Sequence, residues 1–201
     1  MKQNKNTENQ KMIRDFNNQE LAIVKYINQY LPFREKHIFS TRELSIKIAE
    51  KYGVDTDKAS IAALCHDLGK RYKDDDMRKI ILENDNIEYP SYITGALLHA
   101  RVSAIITEKE FNITDKEILK AIESHTVGHA NMSMLEKIIY AADYLEPTRK
   151  LETADKIREK IFIDFDNAFL EVVYESISFV LSKKQYLSDK TIELYNSLVT
   201  K

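Results

Sequence analysis

The chain has little of what turns and cross-links are made from: 4 glycines, 3 prolines, one cysteine and no tryptophan in 201 residues. Scarce glycine and proline leave too few turn formers for a sandwich or barrel of many short strands, so an all-α architecture is expected. The single Cys65 excludes an internal disulfide and fits a reducing compartment, hence an expected cytoplasmic location. Cys65 lies in an apolar run, which favours a buried, inert thiol. No apolar stretch approaches the ~20 residues needed to cross a bilayer, so no membrane association is expected. The N-terminus, Met1 to Lys11, is polar and has no apolar core of a signal peptide. Residues 1–15 are therefore expected to be a disordered lead-in, and 16–201 a single helical domain. Neither sign of charge dominates: 30 Lys and Arg stand against 32 Asp and Glu, a net charge of -2. That argues against a nucleic-acid partner held on a basic face, but leaves room for a local basic pocket that takes a phosphorylated small molecule.

What is present is helical periodicity. Phe16 to Tyr30 carries Leu21, Ile23, Val24 and Ile27 at three- and four-residue spacing. Pro32 suits the first turn of a second helix, in which His37 shares a face with Thr41, Leu44, Ile48 and Tyr52, and Gly53 ends it. Asp55 is placed to cap a helix over Thr56 to Asp67 whose inward residues Ala59, Ala62 and Ala63 permit close packing, with Gly69 as breaker. Lys73 to Lys79 reads as a solvated loop running into a short helix, Met77 to Glu83. Ile93 to Phe111 follows, with His99 on its apolar side. Thr114 and Glu117 have capping-box spacing and open a helix that delivers His125 and Thr126 at its end. Ser133 and Glu136 repeat that spacing before Met134 to Leu145, which carries Asp143. Ile157 to Ile161, Asp166 to Leu181 and Asp189 to Leu198 complete the helices.

The chemistry-bearing residues are organised around Ala63-Leu64-Cys65-His66-Asp67-Leu68-Gly69-Lys70. An adjacent His and Asp offer a neutral nitrogen and a hard oxygen to one borderline metal such as iron, manganese or zinc. Lys70 adds a point charge for a bound anion. Further ligands must come from distant helices, and the inward faces and helix ends supply His37, His99, His125 and Asp143. Taken singly, each of these reads as a hydrogen-bonded core histidine or a capping aspartate. Together they point to one polar centre in a helical bundle, because aspartates are rarely buried unless paired or metal-bound. Only His129 of the five histidines is left over.

The order His, His-Asp, His, His, Asp resembles the HD superfamily of metal-dependent phosphohydrolases. The strings Arg34-Glu35-Lys36-His37, His66-Asp67-Leu68-Gly69-Lys70, Leu97-Leu98-His99-Ala100, His125-Thr126-Val127-Gly128 and Ala142-Asp143-Tyr144-Leu145-Glu146-Pro147-Thr148-Arg149 are similar to its YqeK-type members. The likeness runs from about Leu21 to Asn196. It implies an HD-domain helical bundle with a buried metal centre that hydrolyses diadenosine tetraphosphate symmetrically to two ADP. By the same likeness His37, His66, Asp67 and Asp143 are the metal ligands. Iron is the favoured metal, one ion or two, with manganese or another divalent metal as alternatives. Arg34, Lys70, His99, His125, Thr126 and Arg149 meet the nucleotide's phosphates, and Thr191 to Asn196, with Tyr195 and Asn196, is a nucleotide-contacting tail. His99 and His125 stay open between phosphate contact and a second metal, since two-metal HD enzymes use equivalent histidines for that ion.

In this scheme Asp67, Lys70, His99 and His125 are the catalytic candidates: the first for the metal, Lys70 to offset phosphate charge, and one histidine to protonate the leaving oxygen. Bland roles stand beside these. Arg149 can pair with Glu146 on a helix surface, Lys70 can answer a helix dipole, and Thr126 can cap a helix end. Two other functions compete: another HD-type nucleotide phosphohydrolase or phosphodiesterase, and a nucleotide-sensing module without turnover. The likeness also raises a homodimer, for which the apolar helix around Phe169, Val172, Val173 and Ile177 offers a face, although the expected use of that face is the chain's own core.

Overall fold

A computed structural model describes residues 16–149 and 152–200. The expected lead-in over 1–15 lies outside these residues. Among the described residues there are α-helices, one 3-10 turn and no strand. In chain order they are α1 (Asn18–Tyr30), α2 (Glu35–Lys51), α3 (Thr56–Cys65), a 3-10 turn (Leu68–Arg71), α4 (Asp74–Asp85), α5 (Gly95–Phe111), α6 (Lys116–Ser124), α7 (Met134–Leu145), α8 (Glu152–Lys160), α9 (Phe165–Ser182) and α10 (Asp189–Val199).

The bundle is built around α3, which packs against α1, α2, α5, α6 and α7. Every residue from Ala59 to Cys65 is buried. The alanines let neighbouring backbones come close, and Ile61 and Leu64 fill the remaining space. The Asp55 side chain accepts from the backbone N–H groups of Asp57 and Lys58, as its cap position predicts. Cys65 is fully buried and burial pushes its thiol up to about 12, so it is an inert packing residue. Gly53, at φ 67, ends α2. Phe169, Val172 and Val173 of α9 are buried within the chain itself, and Ile177 packs against the same core.

Three local expectations are corrected. The helix α4 begins at Asp74, three residues before the expected start, because Asp74, Asp75 and Asp76 stand in its first turn, where acidic side chains favour the helix N-terminus. It runs to Asp85 and is closed by Asn86 at φ 55. At α6 the cap is Asp115, whose carboxylate accepts from the N–H groups of Glu117 and Ile118, so the Thr114–Glu117 box does not form. The helix expected over Ile157 to Ile161 spans Glu152–Lys160. The box at Ser133 and Glu136 is present. Its Glu136 also accepts from Ser124 Oγ at 2.7 Å and meets His129 Nε2 at 2.6 Å, which makes His129 a structural residue.

Asp85 ties the end of α4 to α5. It receives Arg101 Nε at 2.7 Å and Nη2 at 2.6 Å, and the Arg101 guanidinium holds its carboxyl below the usual carboxylate range. A carboxyl lowered by folding contributes stability above its unfolded pKa and loses it as pH falls through the folded value. Arg101→Gln is therefore expected to cost about 1 kcal/mol or less at pH 7, a deficit that shrinks toward pH 3. Urea melts at the two pH values check this; a deficit that does not change with pH contradicts the pairing.

Candidate metal centre and phosphate cleft

The centre forms where helix ends meet. The last carbonyls of a helix lack intrahelical donors, and two histidines use them. His66 follows the last residue of α3, and its Nδ1 meets the Ala63 carbonyl at 2.6 Å. His125 holds the same place after α6, with Nδ1 2.6 Å from the Ile122 carbonyl. His99, in the second turn of α5, puts Nδ1 2.9 Å from the Gly95 carbonyl. His37, on α2, puts Nδ1 3.0 Å from Glu146 Oε1. Each acceptor is a carbonyl or carboxylate oxygen, so each Nδ1 must carry the proton. In a neutral ring held this way, the lone pair is on Nε2.

Those lone pairs face one another. His37 Nε2 lies 3.2 Å from His66 Nε2, and His99 Nε2 lies 3.0 Å from His125 Nε2. Burial lowers His66 and takes His125 down to about 3, with His99 and His66 adding to the effect at His125, so both rings are neutral at pH 7. Two acceptors at such distances repel unless a cation stands between them.

Carboxylates complete the set. Asp143 Oδ1 is 3.0 Å from His37 Nε2 and 3.7 Å from His66 Nε2, while Asp67 Oδ2 is 3.6 Å from both. Donor atoms bound at about 2.1 Å to one metal lie roughly 3 Å apart at right angles and roughly 3.5 Å apart at tetrahedral angles, and these separations of 3.0 to 3.7 Å are close to that range. The other oxygen of Asp67 faces the second histidine pair, at 3.3 Å from His99 and 4.0 Å from His125. Two groups able to hold a metal thus share one buried aspartate: His37, His66 and Asp67, which Asp143 joins, and Asp67, His99 and His125. A donor set of imidazoles and ionised carboxylates fits a divalent metal of the first transition row.

Cations answer the carboxylates. Arg34 Nε donates to Asp67 Oδ2 at 2.9 Å, with Nη2 on the same oxygen, and Arg149 Nη2 donates to Asp143 Oδ1 at 2.7 Å. The Arg149 guanidinium therefore meets Asp143, and only its backbone N–H meets Glu146, at the carbonyl oxygen. Burial alone would raise both carboxyls. The guanidinium groups that face them work against this, Arg149 at Asp143 and Arg34 at Asp67, and both carboxyls stay ionised well below the usual range. Burial lowers the Lys70 ammonium, and Asp67 works against that shift.

A cleft of about 780 Å³ opens on this centre. Arg34, Asp67, Lys70, His99, His125, Thr126, Asp143 and Arg149 line its inner end. His37 and His66 lie beneath, buried. Thr126 Oγ1 stands 3.4 Å from His99 Nε2 and 3.3 Å from His125 Nε2. Tyr195 and Asn196 are not on this wall: Tyr195 packs against the core, and the Asn196 carbonyl accepts from Thr200 Oγ1 at 2.8 Å. Their neighbour Thr191 lines a smaller adjoining cavity of about 310 Å³.

Two residues here escaped sequence reasoning. Ser103 Oγ accepts the Gly69 N–H at 2.8 Å, fixing the turn that carries Lys70 against α5. Glu146 is fully buried after α7 and accepts from the Thr148 backbone at 2.7 Å and its hydroxyl at 2.5 Å as well as from His37. The usable signal was a carboxylate just past the Asp143 helix. Such partners set the tautomer and orientation of a ligating histidine. Glu146→Ala is expected to lower metal affinity by about 10–100-fold, with Glu146→Gln closer to the parent protein. Metal titration against a competing chelator reads this, and equal affinities across the three proteins would remove Glu146 from the centre.

The model of the family described as HD domain matches residues 34–148, the span from Arg34 to just past Glu146. The chain belongs to the HD domain family. HD hydrolases bind a divalent metal, and this HD protein has buried groups able to hold one. It is 36% identical over 166 residues to a protein of Halalkalibacterium halodurans named symmetrical bis(5'-nucleosyl)-tetraphosphatase, covering 83% of this chain and 89% of that one. A Bacillus subtilis protein of the same name is 33% identical over 186 residues, 91% of this chain and 98% of its own. A crystal structure from Clostridium acetobutylicum, described as an HD superfamily hydrolase involved in NAD metabolism, superposes with a TM-score of 0.79 at 34% identity, covering 89% of this HD chain and 95% of that one. No helix among the described residues is long and apolar enough to cross a membrane.

Proposed function

We propose that this HD protein hydrolyses dinucleoside tetraphosphates symmetrically, releasing two ADP from diadenosine tetraphosphate. The observation that carries the chemistry is the meeting, in one cleft, of a His and Asp ligand group with Arg34, Lys70 and Arg149. The names of the full-length relatives supply the substrate. In this reading His37, His66, Asp67 and Asp143 hold the metal, with iron favoured and manganese next, both suited to mixed nitrogen and oxygen donors. When bound, it supplies Lewis acidity at a phosphoryl oxygen and makes water nucleophilic at neutral pH.

The chain's own residues do the rest. Arg34, Lys70 and Arg149 bind the polyphosphate and offset the charge that grows on its oxygens as an inner phosphorus is attacked and ADP departs. Arg34, Lys70 and Arg149 stand against two carboxylates, Asp67 and Asp143, so a small positive excess is left at the inner end to draw an anion in. His125 is arranged as an acceptor, with Nδ1–H committed to the Ile122 carbonyl and burial depressing its pKa to about 3. It therefore receives no acid role here. The facing lone pairs of His99 and His125 favour a cation over a bare phosphate oxygen, and with Asp67 they make a place for a second divalent ion that accompanies the polyphosphate. Thr126, the hydroxyl donor beside them, is left to reach a phosphate oxygen. A cytoplasmic place of work belongs to the same reading and rests on the lone buried thiol of Cys65.

Product analysis tests the proposal. The metal-loaded protein, given diadenosine tetraphosphate, is expected to yield ADP alone. ATP plus AMP would keep a hydrolase and overturn symmetrical cleavage. No reaction with metal confirmed bound would overturn the substrate assignment.

A further inference from the structure

The catalytic groups line only the inner end of the 780 Å³ cleft. The rest of its lining is a different surface, made largely by α9 together with Tyr144 and Thr153, and nothing in the metal or phosphate chemistry uses it. On α9 the residues facing the cleft include Glu175, Ser178, Phe179 and Ser182, at the spacing of one helix face. Glu175 is a carboxylate without a hydrogen bond or ion pair among the described residues, in a cleft whose inner end binds anions. A carboxylate there repels a phosphate and calls for neutral hydrogen-bond donors. Phe179 is 57% exposed, and among the described residues its ring meets only Lys183 Nζ, at 5.7 Å from the centroid. A large exposed aromatic face at a cleft wall is a stacking platform.

Glu175 and Phe179 are four residues apart on one helix, so their side chains lie about 5–6 Å from each other at Cβ. That is the scale on which ribose and base are separated in a single nucleoside. We propose that this face of α9 is a nucleoside subsite, in which Phe179 stacks on the base of one half of the substrate while the Glu175 carboxylate accepts from its ribose 2'- and 3'-hydroxyls. The inference rests on the dinucleoside reading above and deepens it. It also assigns the cleft a polarity, with phosphates at Arg34, Lys70 and Arg149 and the sugar at Glu175. Stacking tolerates any base, so this subsite selects for a ribonucleoside and not for adenine.

The test uses the full chain, metal-loaded, with two variants. Phe179→Ala is expected to raise KM for diadenosine tetraphosphate roughly tenfold, with Phe179→Tyr near the parent value. Competitive inhibition by ADP and by 2',3'-dideoxy-ADP separates the ribose contact. The parent protein is expected to prefer ADP by about tenfold, and Glu175→Gln and Glu175→Ala to bind both alike. Inhibition by pyrophosphate, which has no nucleoside, is expected to be the same in all these proteins. A parent protein that turns over normally, with Phe179→Ala unchanged in KM and Glu175→Ala still preferring ADP, overturns the subsite alone. Variants that lose pyrophosphate inhibition in parallel overturn it too, because the effect is then a distorted cleft. A parent protein that releases no ADP from the tetraphosphate brings down the functional reading and the subsite with it.

Discussion

Asp67→Ala is expected to abolish bound metal and to cut turnover by at least roughly 10³-fold, the upper range for loss of one preorganised electrostatic group. The reason is positional. Asp67 Oδ2 faces His37 and His66, its Oδ1 faces His99 and His125, and Arg34 donates to it. No other carboxylate among the described residues touches both histidine pairs. Deleting it leaves His99 and His125 facing each other without a carboxylate, leaves only Asp143 and Glu146 beside His37, and frees Arg34 from its partner. The fold is expected to survive, since α3 is held by Ala59 to Cys65 and the lost group is a charge whose burial is itself unfavourable. Metal analysis, far-ultraviolet circular dichroism and product release on one preparation check all three statements. Asp67→Asn, nearly the same shape without the charge, should match the alanine variant in activity; a variant of either kind that keeps metal and turnover contradicts the assignment.

Gly69→Ala is expected to be severely damaging for the addition of one methyl group. A Cβ at that position would lie 2.5 Å from the His99 carbonyl oxygen and 3.1 Å from its Cα, backbone atoms with no rotamer to escape into. Overpacking of this kind costs about 1–3 kcal/mol, which for a chain of this length lowers Tm by about 2–12 °C. The larger consequence is geometric. Relief requires the turn over Leu68–Arg71 to part from α5, and the Gly69 N–H to Ser103 Oγ bond is broken by that movement. Asp67 and Lys70 then move away from His99. Activity is expected to fall by more than stability alone explains, roughly 10²-fold for a displacement near 1 Å. Thermal melts together with kinetics at a temperature well below Tm separate the two losses; parent-like kinetics in a destabilised protein would show that the turn is not what positions the centre.

The sequence made the helices with strong periodicity legible, α7 most clearly, where apolar spacing and the Ser133–Glu136 box agree. Asp55 was legible as a cap because it follows the Gly53 break and precedes the apolar-periodic run. Thr114 failed because Asp115, the next residue, is an equally good cap, and only the backbone path decides between them. The start of α4 was hidden because three successive aspartates read as solvated chain when burial is the guide and as a helix N-terminus when the dipole is. The centre itself was legible as a set of residue types, and the structure brings His37, His66, Asp67 and Asp143 to one place from α2, the end of α3 and α7. What the sequence could not supply was the proton arrangement. The Ala63, Gly95 and Ile122 carbonyls that orient three histidines are backbone atoms without a residue signature, and Glu146 resembles any helix-ending acid until its partner 109 positions away is known. Nor could spacing show that Arg34 and Arg149 address different aspartates.

The way the four imidazoles are held has a consequence for how such a centre changes over many generations. His66, His99 and His125 take their orientation from main-chain carbonyls, which no substitution can delete. Their tautomers are inherited with the helices. His37 alone depends on a side chain, Glu146, so the basicity of one ligand can drift through Glu, Gln or Asp while the other three stay fixed. Among the groups that orient the imidazoles through Nδ1, mutation therefore reaches the centre through a single adjustable side chain. Descendants that diverge in metal use without altering any of the ligating residues should differ first at residue 146.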